Sequence, residues 1–200
     1  MVNKIYIGII GIQGAISEHK TVLEKTYQEM GIKGSTLIVR NKSNIEKIEG
    51  LIIPGGESST ISKVLKKNKM QEQLSKKITD NDLPVMGTCA GSIILAKKTF
   101  EENKKIHQLK VMNMKVKRNA FGRQSSSFEK KINIDLFKKP YPAVFIRAPS
   151  IVKVWGKCKP LASIKDKIVM AKQNKKIAIS FHPELTHDTR IHRYFLNQCQ

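Results

Sequence analysis

Two short stretches of this 200-residue chain carry residue types that can do chemistry together. In PVMGTCAGSIILA, an apolar run passes through Gly87-Thr88-Cys89-Ala90-Gly91 and straight into a helical run. That is the G-x-nucleophile-x-G pattern of a sharp strand-to-helix turn. A nucleophile held at such a turn needs neighbours without bulk, and the amides opening the helix favour negative charge on the sulfur. The N–H of Ala90 would point to where an oxyanion forms. Far downstream, His182-Pro183-Glu184 sets an imidazole and a carboxylate two residues apart. A cysteine nucleophile needs a general base, and the base needs a partner that fixes its tautomer. In an extended segment residues i and i+2 project to one side, and Pro183 stiffens the piece between them. Cys89, His182 and Glu184 are therefore expected to form a triad. Each stretch alone has a plainer reading, a buried cysteine at a tight turn and a structural histidine at a strand end.

A second glycine loop, LIIPGGESST, follows another apolar run. Gly55 and Gly56 let a backbone amide approach a ligand, so Gly56 is a candidate for the second oxyanion donor beside Ala90. A helix is expected to begin at Ser58 or Ser59, both good caps. A phosphate loop fits poorly, because G-x-x-x-x-G-K-[ST] is absent. GIIGIQG reads as a tight strand-to-helix turn only. His19, His107, His187 and His192 read as structural residues, and Cys158 and Cys199 have no reactive context. No spacing of these side chains suggests a metal site.

These residues need a scaffold, and the apolar runs outline it. Ile5 to Ile10, Thr36 to Val39, Leu51 to Ile53 and Pro84 to Met86 read as buried strands. Helical patterns lie between them at Ile16 to Met30, Ser59 to Lys67 and Met70 to Ile78. The alternation implies a mostly parallel sheet flanked by helices, an α/β fold. After Ala96 the pattern turns β-rich, with runs at Met112 to Val116, Ile132 to Ile134, Ala143 to Ile146, Ile151 to Trp155, Leu161 to Ile164, Ile168 to Ala171 and Ile177 to Phe181. These predict an antiparallel β extension, closed by a helix from about Thr189 to Asn197. In such sheets working residues gather beyond the C-terminal strand ends, which brings GIQGAISEH, PGGESST and GTCAGS to one edge. No linker or repeat interrupts the chain, so residues 1–200 read as one domain.

Composition narrows the function. The formal net charge is +21, yet only six of the 37 basic residues are arginine, and the lysines are scattered. Without aromatic interleaving this reads as a solvated lysine surface rather than a nucleic-acid interface. Three cysteines without a C-x-x-C pair suggest neither a disulfide framework nor zinc. No signal-peptide pattern and no membrane-length apolar run is present, so the chain reads as cytoplasmic.

GTCAG together with HPE resembles the triad, or class I, glutamine amidotransferases, which have flavodoxin-like glutaminase domains. GIQGAISEH, LIIPGGESST, RNAFGRQSSSFE, VFIRAP and FHPELTHDTR narrow the resemblance to the glutaminase subunits of pyridoxal 5′-phosphate synthase, over about residues 5 to 196. Phe121 to Gln124, with Ser127-Phe128-Glu129, is the stretch most specific to that branch. The resemblance implies Cys89 as nucleophile, His182 as base and acid, and Glu184 as orienter. It implies L-glutamine held by Gly56, Glu57, Ser58, Arg118, Ile146 and Arg147, with no cofactor and no metal. Arg118, Arg123 and Arg147, half of the six arginines, fall in RNAFGRQSSSFE and VFIRAP, and a guanidinium suits the substrate carboxylate. The implied partner is a barrel-type pyridoxal 5′-phosphate synthase subunit in a large hetero-oligomer, which receives the ammonia internally for vitamin B6 biosynthesis. The alternative is the glutaminase subunit of another ammonia-using synthase, such as imidazole glycerol phosphate synthase. A non-catalytic regulatory module would not need the complete triad. Two positions depart from the pattern: Ala120 stands where serine is common, and Lys117 where an acidic residue is frequent.

Overall fold

Alternating apolar runs and amphipathic stretches give the first half its βα rhythm. The computed structural model describes residues 4–100, 106–121 and 127–200. Through the first half it runs β1 (Ile5–Ile10), α1 (Ile16–Met30), β2 (Gly34–Val39), α2 (Lys42–Glu46), β3 (Gly50–Ile53), α3 (Ser58–Lys67), α4 (Met70–Asp80), β4 (Val85–Thr88), α5 (Ala90–Leu95) and β5 (Ala96–Thr99). The second half adds β6 (Met112–Lys117), β7 (Phe128–Ile132), β8 (Tyr141–Phe145), β9 (Ser150–Val154), β10 (Lys159–Ile164), β11 (Lys167–Gln173), β12 (Lys176–Ile179), a 3-10 turn (Pro183–Leu185) and α6 (Arg190–Leu196).

Strands β2, β1, β3, β4 and β12 lie side by side and parallel. From β12 the sheet continues through antiparallel β11 and β9 to β6, with β10 also on β11 and β5 parallel to β6 at the far edge. This is the expected parallel core with an antiparallel extension. The separate hairpin of β7 and β8 packs over one face. Its first strand begins earlier than the expected Ile132, because Phe128 pairs with Phe145 and takes the register back along the chain. The short α2 and β5 had no clear periodicity in the sequence. They form because tertiary neighbours supply their partners.

Period-two alternation sorts side chains to two layers. Leu51 and Ile53 join α2 to α5 on one face, while Ile7, Ile9, Ile52, Ile177 and Ile179 join α1, α6 and the hairpin on the other. Each fully buried aliphatic side chain contributes about 1.5–3 kcal/mol relative to exposure. Helix α1 buries His19, Val22, Leu23, Thr26 and Tyr27, the spacing of one helical stripe. It stops at Gly31, whose left-handed φ of 64° lets its N–H reach the carbonyls of Gln28 and Tyr27. Among the described residues no helix is long and apolar enough to cross a membrane.

Candidate active site

The turn from β4 into α5 carries Cys89 at φ 47° and ψ −105°, a strained conformation for a non-glycine residue. The surroundings hold it there. The Cys89 N–H donates to the Ile179 carbonyl at 2.8 Å, and the Cys89 carbonyl accepts from Ser92 Oγ at 2.7 Å and Ser92 N at 3.1 Å. Gly87 and Gly91 are needed for contact rather than for φ. A Cβ on Gly91 would fall 2.0 Å from the Ile53 carbonyl oxygen, and one on Gly87 would fall 2.6 Å from the Gly91 carbonyl carbon. The Cys89 sulfur lies 3.9 Å from the Ile146 carbonyl oxygen.

His182 leaves the end of β12, and its N–H donates to the Val144 carbonyl of β8 at 2.8 Å. Its Nδ1 meets Glu184 Oε1 at 2.8 Å. The pair forms as expected but by a different route. Pro183–Leu185 is a 3-10 turn, not an extended segment, so the carboxylate curls back under the ring. Arg190 fixes the base of this turn, gripping Asp188 at 2.6 Å and donating to the Lys139 and Pro140 carbonyls at 2.7 and 2.8 Å. That accounts for much of the FHPELTHDTR stretch in structural terms.

Burial alone would lower the His182 pKa. Its interactions with Cys89 and Glu184 outweigh burial and raise it to about 10, so the ring is an imidazolium at neutral pH. Burial would likewise raise the Glu184 carboxyl, but His19 and His182 hold it below the usual carboxylate range. Cys158 and Cys199 keep their plain reading, because burial pushes their thiols up to about 11 and about 12.

A cavity of about 570 Å³ opens in front of Cys89 and His182. Gly56, Glu57, Ser58, Ala90, Arg118, Ile146 and Arg147 line it, so the structure brings every expected substrate and oxyanion residue to one place. Glu184 sits behind, 4% exposed. The helix after the second glycine loop is capped by Glu57, not by Ser58 or Ser59. Glu57 Oε1 accepts from Ser59 Oγ at 3.0 Å and from Arg118 at 3.0 Å. Both walls near Arg118 are bent: Asn119 and Arg147 each have φ 47°, and the Ala120 N–H donates to the Ala148 carbonyl at 3.0 Å.

GIIGIQG, expected to be a tight turn only, also reaches the site. Gln13, Gly14 and Ala15 line the cavity, and Gly14, at φ 104°, lies so close to the second loop that a Cβ would fall 1.5 Å from the Gly55 carbonyl oxygen. His19 and His192 are expected to be structural residues. Both are fully buried, and His19 Nε2 lies 3.4 Å from Glu184 Oε2. The SEH spacing after Gly14 was the available signal. Of the FGRQ stretch, Gly122, Arg123 and Gln124 lie outside the described residues. Its flanks, Phe121 and Phe128, both pack on Phe145, at 5.5 and 4.7 Å between ring centroids. Among the described residues no group of three or more His, Cys, Asp or Glu side chains is placed to hold a metal ion.

The chain is similar to known proteins over nearly its whole length. The model of the SNO glutamine amidotransferase family matches residues 9–200. A pyridoxal 5′-phosphate synthase subunit PdxT of Staphylothermus marinus is 49% identical, covering 96% of this chain and 97% of its own. The subunit of the same name from Pyrococcus furiosus is 46% identical, covering 96% and 98%. A crystal structure described as a glutamine amidotransferase superposes with a TM-score of 0.85 at 38% identity, over 96% of this chain and 98% of the other. A glutamine amidotransferase from Thermotoga maritima, 16% identical with a TM-score of 0.62 over 96% and 81%, shares the fold.

Proposed function

The chain belongs to the SNO glutamine amidotransferase family, and from that premise we propose that Cys89, His182 and Glu184 are the triad with which it takes ammonia from L-glutamine. It is a glutaminase subunit of a pyridoxal 5′-phosphate synthase: relatives 49% and 46% identical over nearly their whole length are named pyridoxal 5′-phosphate synthase subunit PdxT, and the matching family is one of glutamine amidotransferases. The observation that carries the residue assignment is the strained Cys89 at the floor of a cavity, beside an imidazole locked at 2.8 Å to a buried carboxylate.

The Cys89 sulfur attacks the side-chain amide carbon of glutamine, and the C–N bond breaks as His182 gives its proton to the departing nitrogen. The thioester that remains is opened by water, whose proton passes to His182, releasing glutamate and restoring the Cys89 sulfur beside the His182 imidazolium. The N–H groups of Ala90 and Gly56 hold the oxyanion in both halves. Glu57 and Arg118, already paired at 3.0 Å, are matched to the two ends of a zwitterion. The carboxylate would take Arg118 and the ammonium Glu57, with Ser58, Ile146 and Arg147 shaping the remaining wall. Ammonia released into water is mostly protonated and lost as a nucleophile, so it passes within a complex to a barrel-type synthase subunit.

Glutamate release from glutamine by the purified chain, alone and with that synthase subunit, tests the proposal. Activity that rises with the partner and disappears in Cys89→Ala is expected. Activity that survives in Cys89→Ala overturns the triad, and folded chain that stays inactive with a bound partner overturns the substrate.

A further inference from the structure

We propose that His19 is a positioning residue for the triad, its Nε2–H donating to the second oxygen of Glu184 so that the carboxylate is held from both sides. The inference rests on reading Cys89, His182 and Glu184 as catalytic. It starts from an asymmetry. Glu184 Oε1 is taken by His182 at 2.8 Å, while Oε2, in a side chain with no solvent exposure, faces His19 Nε2 at 3.4 Å. A carboxylate oxygen that deep needs a donor.

The contacts of His19 decide which of its nitrogens carries hydrogen. Its Nδ1 lies 3.2 Å from His192 Nε2, and its Nε2 also lies 3.2 Å from Thr88 Oγ1, in the residue before the nucleophile. His192 Nδ1 has no hydrogen-bond partner and is buried. If His19 carried its proton on Nδ1, it would donate to His192 Nε2 and force the His192 hydrogen onto the unpartnered Nδ1. A buried N–H without an acceptor is the costlier orphan. The same arrangement would turn a nitrogen lone pair toward the Glu184 anion. With the opposite tautomers both problems vanish: His192 Nε2–H donates to His19 Nδ1, and His19 Nε2–H faces Glu184 Oε2. Thr88 then accepts a share of that hydrogen.

The other charged groups near His19 are His182, whose charge also opposes protonation of His19, and Glu18, which is exposed and paired with Ser17 Oγ at 2.9 Å, so it does not compete. Burial lowers the pKa of both His19 and His192, the latter to about 3, which keeps the relay neutral. His19 stands on the buried stripe of α1 and His192 on the buried face of α6. The packing of two helices thus sets the angle of a carboxylate supplied by a third segment.

The test is histidine 15N NMR of the full-length chain at pH 7, joined to kinetics with the synthase subunit. Neutral Nε2–H tautomers at both His19 and His192 are expected; His19 as the Nδ1–H tautomer overturns the proposal without any activity measurement. In kinetics, His19→Leu should lower kcat by about ten- to a hundredfold, the range seen when an outer partner of a site residue is lost. KM for glutamine should stay within about twofold, and the acid limb of kcat should move to higher pH as Glu184 loses a donor. His19→Gln keeps an N–H at the same place and an oxygen for His192, so it should recover most of kcat. A folded His19→Leu with native kcat and pH profile, or a His19→Gln no better than His19→Leu, overturns it. Cys89→Ala, run alongside, reports separately on the triad.

Discussion

The Cα of Gly55 lies so close to the His182 ring that a methyl group there would fall 2.6 Å from Cε1 and 3.2 Å from Nδ1. The second glycine loop is therefore the wall against which the His182 imidazole rests. Gly55→Ala is expected to tilt the ring away from Cys89 and lower kcat by about a hundredfold, the scale of an ångström of misplacement. KM should change much less. Steady-state glutaminase kinetics with the synthase subunit, with far-UV circular dichroism for folding, check it.

Removing the orienting charge has a different signature. Glu184→Gln keeps the shape but offers an amide where His182 has a 2.8 Å carboxylate partner. A change of this kind in a triad lowers kcat by about 10⁴, through the wrong tautomer. His182 should then titrate well below its native value of about 10, which histidine NMR reads directly.

Two glycines with positive φ separate strain from contact. Gly14→Ala must displace the Gly55 carbonyl and with it the Gly56 amide, and loss of one oxyanion donor costs about 10² to 10³ in kcat. Gly31, at φ 64°, has open space around its Cα, so Gly31→Ala should cost only about 1–2 kcal/mol of backbone strain and leave kcat unchanged. Denaturant unfolding and kcat of the two variants test the contrast.

Substrate binding should part from chemistry at Arg118. Arg118→Ala removes the partner expected for the glutamine carboxylate and leaves Glu57 without its ion-pair partner. A charge-assisted hydrogen bond of about 1.5–3 kcal/mol corresponds to a KM rise of roughly ten- to a hundredfold, with kcat within a fewfold.

Stability should peak near neutral pH. His182 is raised from 6.5 to about 10, so between those values the folded state holds a proton that the unfolded state has lost, and stability falls as pH rises. His192 is lowered from 6.5 to about 3, so across that window the unfolded state holds the extra proton and stability falls as pH falls. Guanidinium unfolding from pH 4 to 10 should show both limbs. His192→Leu should flatten the acid side, and His182→Asn the alkaline side.

Period and turn chemistry made most of the scaffold legible in the chain. The β1 run, the α1 stripe ending at Gly31 and the β4 run into GTCAG are local patterns, and local patterns are what a sequence displays. Cys89, His182 and Glu184 were legible for the same reason, since each sits in a short stretch whose chemistry makes sense alone. The α3 cap went to Glu57 because Arg118, distant in the chain, shares its carboxylate, and no local preference for serine could register that. The register of β7 depended on Phe128 meeting Phe145.

By itself, then, the sequence pointed to Cys89 as candidate nucleophile with His182 and Glu184 as its proposed base and orienter, to the glycine loops, and to an α/β scaffold with a β-rich second half. Only the tertiary structure decided what stands behind them. It put Gly14 against Gly55, curled Glu184 back through a 3-10 turn, and set His19, with His192 next to it, 3.4 Å from Glu184 through the packing of α1 and α6. The reason is physical. Residue type and spacing encode what a segment can do, but the donor that satisfies a buried oxygen comes from wherever helix packing delivers one.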